Sequence, residues 1–294
     1  MSKIIPCLVL AKKPILLILI VPIFVSSCFS DLRTEYMKSE TFDLVTNTSK
    51  GRQLITEIQQ NAGVKAWDSI SNYTVDFRDE FHGFMGKMAT PYKEKEVSLE
   101  LQYIPNSFDG RMHIKTGKQK GTSWGIQSWK TYQSSPGITA QFKKNKKATF
   151  WLPTYQYFIE FPFRIDNATI LTFAGEATYN DELYELVFAS WNTPKPQADI
   201  DQYLLWIHKE NRQIEILQYT IRDQFRSLQG AAFYGPYQEF KGVTFPSHLK
   251  VKFGLNKKNI LHIMHIDNVV YDRFDSSILH PQEKLIRMGD EKNP

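Results

Sequence analysis

From Tyr73 onward, apolar residues recur at every second position. Tyr73, Val75, Phe77 and Phe81 alternate with Thr74, Asp76, Arg78, Glu80 and His82, and Val97, Leu99, Leu101 and Tyr103 alternate with Ser98, Glu100 and Gln102. Successive side chains of a strand point to opposite faces, so each run reads as a strand with one face in a core and the other in water. Further strand-like runs cover 111–116, 122–132, 183–191, 203–208, 213–222, 243–254 and 259–271. Turn signals separate many of them: Pro105-Asn106, Pro136-Gly137, Pro194 with Pro196, Lys209-Glu210-Asn211, Gly235-Pro236 and Asn256-Lys257. Strands in such succession, joined by short polar connections, predict an antiparallel meander rather than alternating β-α units.

Some runs do not alternate. In 183–191 one face carries Tyr184, Leu186 and Phe188 while the other carries Leu183, Val187, Ala189 and Trp191, and 203–207 (YLLWI) is apolar throughout. A sheet containing such strands needs cover on both faces. The aromatic segment 150–165 (FWLPTYQYFIEFPFRI), charged only at Glu160 and Arg164, is the strongest covering element. Proline suits the first position of a helix and disfavours helical space in the residue before it, so a short helix is predicted from Pro153 to just before Pro162. A second helix is predicted over 50–66, where Leu54, Ile55 and Ile58 share a face and Gly63 marks the end. Hydrophobic residues at 42% and aromatics at 14% of 294 residues, against only 15 Gly, exclude a disordered or collagen-like chain and suffice for one large core.

The first 28 residues carry a different signal. Lys3, Lys12 and Lys13 precede the apolar run 15–25 (ILLILIVPIFV), which Ser26, Ser27 and Cys28 follow. This is the pattern of a secretory signal peptide, and the run is shorter than the ~20 apolar residues a spanning helix needs. A retained transmembrane anchor is the alternative. Val25-Ser26-Ser27-Cys28 resembles the bacterial lipobox, which implies cleavage after residue 27 and acylation of Cys28. The only other cysteine, Cys7, falls in the removed segment, so the mature chain has no internal disulfide. Several acyl chains, at ~0.8 kcal/mol per buried methylene, hold a protein firmly on a membrane it does not span. A free Cys28 would instead leave an ordinary secreted protein. Phe29 rather than Asp after the cysteine favours the outer over the inner membrane. The polar stretch 28–49 then reads as a tether, 50–280 as the domain and 281–294 as a tail. Without the three leader lysines, 33 basic residues face 31 acidic ones, so charge gives no reason to expect a nucleic-acid partner.

The second half has a recognisable order. Trp206-Ile207-His208-Lys209-Glu210-Asn211 with Gln213-Ile214 reads as a hairpin; Tyr237-Gln238-Glu239-Phe240-Lys241-Gly242-Val243-Thr244-Phe245-Pro246 leads into Leu249-Lys250-Val251; and Ile266-Asp267-Asn268-Val269 lies in the last strand. This order, with the N-terminal helix followed by Ala66-Trp67 and a long alternating strand, resembles the LolA/LolB-like lipoprotein-carrier superfamily over residues 50 to 275. The resemblance implies a mainly β, α+β fold: a single open, strongly curved antiparallel sheet of about eleven strands, a half-barrel with helices filling an apolar concave face. It further implies that this face admits acyl chains, so an acyl chain, a lipid or a lipidated partner is the expected ligand. No close acid, base and nucleophile constellation survives its context, so binding without catalysis or cofactor is expected. An anchored chain suits a fixed binding role better than shuttling. The expected lining is Trp151, Leu152, Tyr155, Phe158 and Phe161 on the covering segment, with Trp124 and Trp129 in the preceding strand. The alternative is a structural or interaction module in which the same aromatics fill the core.

Other motifs lose their meaning in context. Gly121-Thr122-Ser123-Trp124-Gly125 matches the nucleophile-elbow pattern, but Ser123 follows the polar stretch 115–120 and precedes a strand-like run instead of a helix. His262 and His265 stand three apart in an expected strand, on opposite faces, which makes a shared metal awkward. His82, beside Asp79 and Glu80, is tied to no nucleophile and reads as a polar-face residue. The basic run 143–147 (KKNKK) reads as a solvated loop, or as a contact for anionic headgroups beside a lipid groove.

Overall fold

The computed structural model describes residues 29–222, 224 and 226–281; the leader, Cys28 and the tail from 282 lie outside the described residues. The chain opens with α1 (Glu35–Lys38), α2 (Leu44–Ala62) and α3 (Val64–Trp67), followed by β1 (Tyr73–Phe81), α4 (Gly83–Ala89), β2 (Glu96–Tyr103) and β3 (Gly110–Ile114). Next come β4 (Ser123–Gln127), β5 (Lys130–Ser135), β6 (Ile138–Phe142), α5 (Lys146–Ile159) and α6 (Phe161–Arg164). The second half holds β7 (Ile170–Tyr179), β8 (Glu182–Ser190), β9 (Tyr203–His208), β10 (Ile214–Thr220) and β11 (Gln229–Tyr234), then β12 (Tyr237–Phe240), β13 (Val243–Pro246), β14 (His248–Lys252) and β15 (Ile260–Tyr271).

Thirteen strands form one antiparallel sheet in the order β6-β5-β4-β3-β2-β1-β15-β14-β11-β10-β9-β8-β7, and β12 and β13 form a separate hairpin. The sheet is open, with β6 and β7 as its edges. This is the predicted mainly β architecture, with two more strands than expected. The region 122–132 is two strands, because Ser128 and Trp129 both adopt positive φ (48° and 62°) and turn the chain between β4 and β5. Neither residue announces such a turn, since glycine and asparagine are the usual occupants. Likewise 243–254 is two strands, β13 and β14.

The long strand β1 lies between β2 and β15, with Tyr73 opposite Tyr103 and Tyr271, and Phe77 opposite Leu99 and Ile266. Its inward row is Tyr73, Val75, Phe77, Asp79 and Phe81, all buried. On the concave side these side chains join those of α2 and α5 in one large core. Strands β8 and β9 bury both faces, as their lack of alternation requires. Val187, Ala189, Leu205 and Ile207 face the main core. On the convex side Tyr184, Leu186, Phe188, Leu204 and Trp206 form a second cluster.

The second cluster is closed by Leu32 and Met37, residues of the stretch read as a tether. That stretch is docked instead: the convex face of β8 and β9 is too apolar to be left in water, and Leu32 and Met37 cover it although they are far from both strands in sequence. Helix α2 correspondingly starts at Leu44, six residues before the predicted position, because Asp43 accepts the Val45 N–H at 3.0 Å and caps it. It ends as predicted at Gly63, whose φ of 86° suits glycine and whose missing Cβ would lie 1.9 Å from the Gly242 carbonyl oxygen. Among the described residues no helix is long and apolar enough to cross a membrane.

Candidate ligand-binding site

Helix α5 lies across the concave face, against β3, β4 and β5 and over the inward residues of β1. Asn145 caps it, its Oδ1 accepting the N–H groups of Lys147 (3.1 Å) and Ala148 (3.2 Å). The helix therefore begins seven residues before the predicted start, and Pro153 lies in its interior. A proline there removes one backbone donor. The next turn is tied by the Thr154 hydroxyl, which donates to the Phe150 carbonyl at 2.6 Å. The predicted stop before Pro162 holds: α5 ends at Ile159, and Pro162 sits in the first turn of α6.

Six of the seven expected lining residues, Trp124, Trp151, Leu152, Tyr155, Phe158 and Phe161, are buried in the main core. Trp151 meets Phe81 edge-on at 5.6 Å, Tyr155 lies over Phe77 at 4.8 Å, and Phe158 meets Tyr219 at 5.1 Å. Trp124 stacks on Tyr92 at 5.9 Å. Trp129 is half-buried in the β4–β5 turn, not in a strand, with its ring 5.2 Å from Phe108. The space these residues share is filled. A cleft of about 20 Å³ lies instead between α2, α6 and β10, lined by Ile58, Ala62, Pro162, Ile214 and Tyr237. A shallow hollow of about 170 Å³ lies on the β5–β6 hairpin.

Two polar knots fasten α5 to the sheet. Near the top of β1, the buried Asp79 accepts the Tyr155 hydroxyl at 2.7 Å through Oδ2, while its Oδ1 lies 2.9 Å from His262 Nδ1. The Tyr92 and Tyr155 hydroxyls are 3.2 Å apart. At the other end, Glu160 receives the Tyr73 hydroxyl (2.7 Å), Gln156 Nε2 (2.8 Å), Arg164 (2.7 Å) and the Asn106 N–H (3.2 Å). A further tie comes from β2, where the Tyr103 hydroxyl donates to the Leu152 carbonyl at 2.9 Å. Burial pushes the phenols of Tyr73, Tyr92, Tyr103 and Tyr155 far up, so each keeps its proton. Burial also pushes the Glu160 carboxyl up, against the opposing pull of Arg164 and its hydrogen-bond donors.

Neither Asp79 nor His262 was singled out as part of a site by sequence pattern. Asp79 is the one charge on the inward parity of β1, and a break in an apolar row is the signal that would have found it. His262 and His265 do fall on opposite faces: His262 meets Asp79, and His265 Nε2 lies 3.4 Å from Glu80. His82 precedes α4, with Nε2 3.6 Å from Glu80. Ser123 begins β4, and its hydroxyl lies 2.9 Å from Nδ1 of His113, its cross-strand neighbour on β3. A strand follows it, so the geometry is not that of an elbow. Among the described residues no three His, Cys, Asp or Glu side chains gather as a metal site.

No family model matches the chain, and no curated protein matches it in sequence. Its structure is similar to a DUF1329 family protein from Desulfovibrio piger and to a putative outer membrane lipoprotein-sorting protein domain from Vibrio parahaemolyticus. Each has a TM-score of 0.50 and 9% identity over 79% of this chain and 97% of the other. A LolA superfamily protein from Nitrosomonas europaea matches at a TM-score of 0.48 and 10% identity, over 79% and 97% of the two chains. The first two likenesses show a shared fold, and the open antiparallel sheet with helices on its concave face is the architecture that the sequence resemblance implied.

Proposed function

We propose that the protein is a lipid-anchored component of the cell envelope that binds an apolar ligand, an acyl chain or a lipidated partner, without catalysis, between α5 and the concave face. The observation that carries this reading is the covering element itself. A single helix, bearing Trp151, Leu152, Tyr155 and Phe158, lies over an apolar sheet face that would otherwise be open. An acyl chain needs little beyond such a face of matching length, because methylene burial at ~0.8 kcal/mol per group supplies most of its affinity. In the closed form the helix occupies the ligand's place, and binding requires that it move. The lipoprotein-sorting domain that shares the fold supports the envelope setting.

Native mass spectrometry of the full chain, purified from membranes in mild detergent, tests the ligand. Non-covalent acyl species that leave on denaturation are expected, and their absence overturns the reading. One observation favours a second reading, an interaction module with a permanently filled core: the hollow under α5 is closed, and the cleft beside it holds about 20 Å³. A chain free of acyl species would support that alternative. Acylation is tested separately by growth with an alkyne-bearing palmitate: the wild type takes the label and Cys28→Ala does not. Label on the variant, or none on either, removes the anchor.

A further inference from the structure

Three of the large apolar side chains exposed among the described residues cluster on α4, the short helix between β1 and β2. Phe84, Met85 and Met88 are 74%, 48% and 67% exposed. Three connections from other parts of the chain converge there. Lys147, in the first turn of α5, donates to the Pro91 carbonyl at 2.8 Å in the α4–β2 loop. The Lys118 N–H of the β3–β4 loop donates to Glu94 at 2.8 Å. The Leu261 carbonyl at the start of β15 accepts the His82 N–H at 2.7 Å and would be 2.3 Å from a Cβ on Gly86. These loops bring exposed Lys87, Lys93, Lys95, Lys118, Lys257 and Lys258 around the apolar knob, with Glu94 and Glu96 as the acidic residues among them. An apolar cluster ringed by cations is complementary to a bilayer with anionic headgroups.

The amino terminus of the described chain lies on the same rim. The Ser30 N–H donates to the Arg226 carbonyl at 3.2 Å, its hydroxyl donates to the Ser227 carbonyl at 2.7 Å, and Arg222 donates to the Ser30 carbonyl. Arg222 and Arg226 both stand against the Phe29 ring. These residues join β10 to β11 at the end of the sheet where β1 runs into α4. The order β1-β15-β14-β11-β10 separates the two points by three to four strand spacings, under roughly 20 Å at ~4.8 Å each. Lys257 and Lys258, in the β14–β15 loop, lie between them.

We propose that this rim is a membrane-docking surface. Helix α4 places Phe84, Met85 and Met88 in the headgroup region of an anionic bilayer, the lysines around it meet lipid phosphates, and the sheet stands on the membrane by this edge. The orientation rests on acylation of Cys28, two residues before Ser30; the docking patch stands on its own exposure and charge.

The test uses the full chain with Phe84→Cys carrying a polarity-sensitive fluorophore, in phosphatidylcholine vesicles with or without 30% phosphatidylglycerol. A label at Asp181→Cys, in the β7–β8 turn at the other end of the sheet, is the control. Emission from position 84 is expected to shift to the blue and to be quenched by bilayer-embedded quenchers on the anionic vesicles. At least half of that shift should be lost in 0.5 M salt or on charge reversal of Lys87, Lys257 and Lys258 to Glu, while position 181 stays unchanged. Equal emission from the two positions on anionic vesicles overturns the proposal. Flotation with the neutral vesicles reports the anchor independently. A chain that floats on neutral vesicles but gives no response at position 84 on the anionic ones is anchored but undocked, which overturns the proposal. A chain that fails to float on neutral vesicles yet responds on anionic ones supports docking while removing the anchor.

Discussion

Asp79 occupies a position that the pleat of β1 otherwise gives to Tyr73, Val75, Phe77 and Phe81. A buried carboxylate there is costly unless its oxygens are met, and here Tyr155 and His262 meet them. Its removal strands both partners in the core. Asp79→Ala should therefore destabilise the protein by about 2–4 kcal/mol in urea unfolding, and Tyr155→Phe by only about 1 kcal/mol, since the phenyl ring keeps its packing on Phe77. Equal losses from the two variants would show that packing, not the knot, carries the energy. On the outer face, burial lowers the pKa of His248, with Lys250 and His265 adding to it, and burial lowers that of His265, aided by Arg78 against the pull of Glu80, Asp267 and Asp79. Both rings are thus harder to protonate folded than unfolded. Their contribution is complete above the ordinary histidine value of 6.5 and is lost as pH falls through the lowered folded values. Tm should decline on acidification below about 6.5, and the joint variant His248→Gln and His265→Gln should flatten that decline in a thermal series.

Helix α5 shows how local signals compete. Pro153 reads as a first residue because proline is commonest there, yet the cap that governs the start is Asn145, hidden inside the basic run 143–147. Two of its lysines fall in the first helical turn, where the helix dipole disfavours cations, so a charge-based reading points away from the true boundary. Asn145→Ala should cost about 1 kcal/mol of stability, measured by urea unfolding, with no change in the unfolding slope. The end of α2 was legible, by contrast, because Gly63 meets two independent demands, a positive φ and contact with the Gly242 carbonyl. Gly63→Ala breaks both and should cost about 3 kcal/mol or more. The alternating strands β1, β2 and β15 were legible within one or two residues, because one wet face leaves a clean period. Strand β7 and the β4–β5 turn were not. The first carries a bulge at Gly175, and the second turns on residues that seldom take positive φ.

At the scale of the molecule, the sequence could say that β8 and β9 bury both faces but not what covers them, since the cover comes from Leu32 and Met37, some 150 residues earlier. The same holds for the concave face: an aromatic cover over 150–165 was legible, whereas how it closes depends on where α5 lands against β3, β4 and β5. That closure sets the energetics of any ligand. Lifting α5 exposes Trp151, Leu152, Tyr155, Phe158 and Ile159, at roughly 1.5–3 kcal/mol for each buried side chain, and undoes two polar knots. A fully buried sixteen-carbon chain returns about 13 kcal/mol at ~0.8 kcal/mol per methylene. The two amounts are comparable, so opening should be rare without a ligand and tied to occupancy with one. Hydrogen exchange on the full chain distinguishes this from a permanently filled core. With palmitate in saturating amount, amides of α5 should exchange at least tenfold faster while those of β1 and β15 remain protected. Exchange unchanged throughout would mean that the helix is a fixed part of the core and that the interior takes no acyl chain.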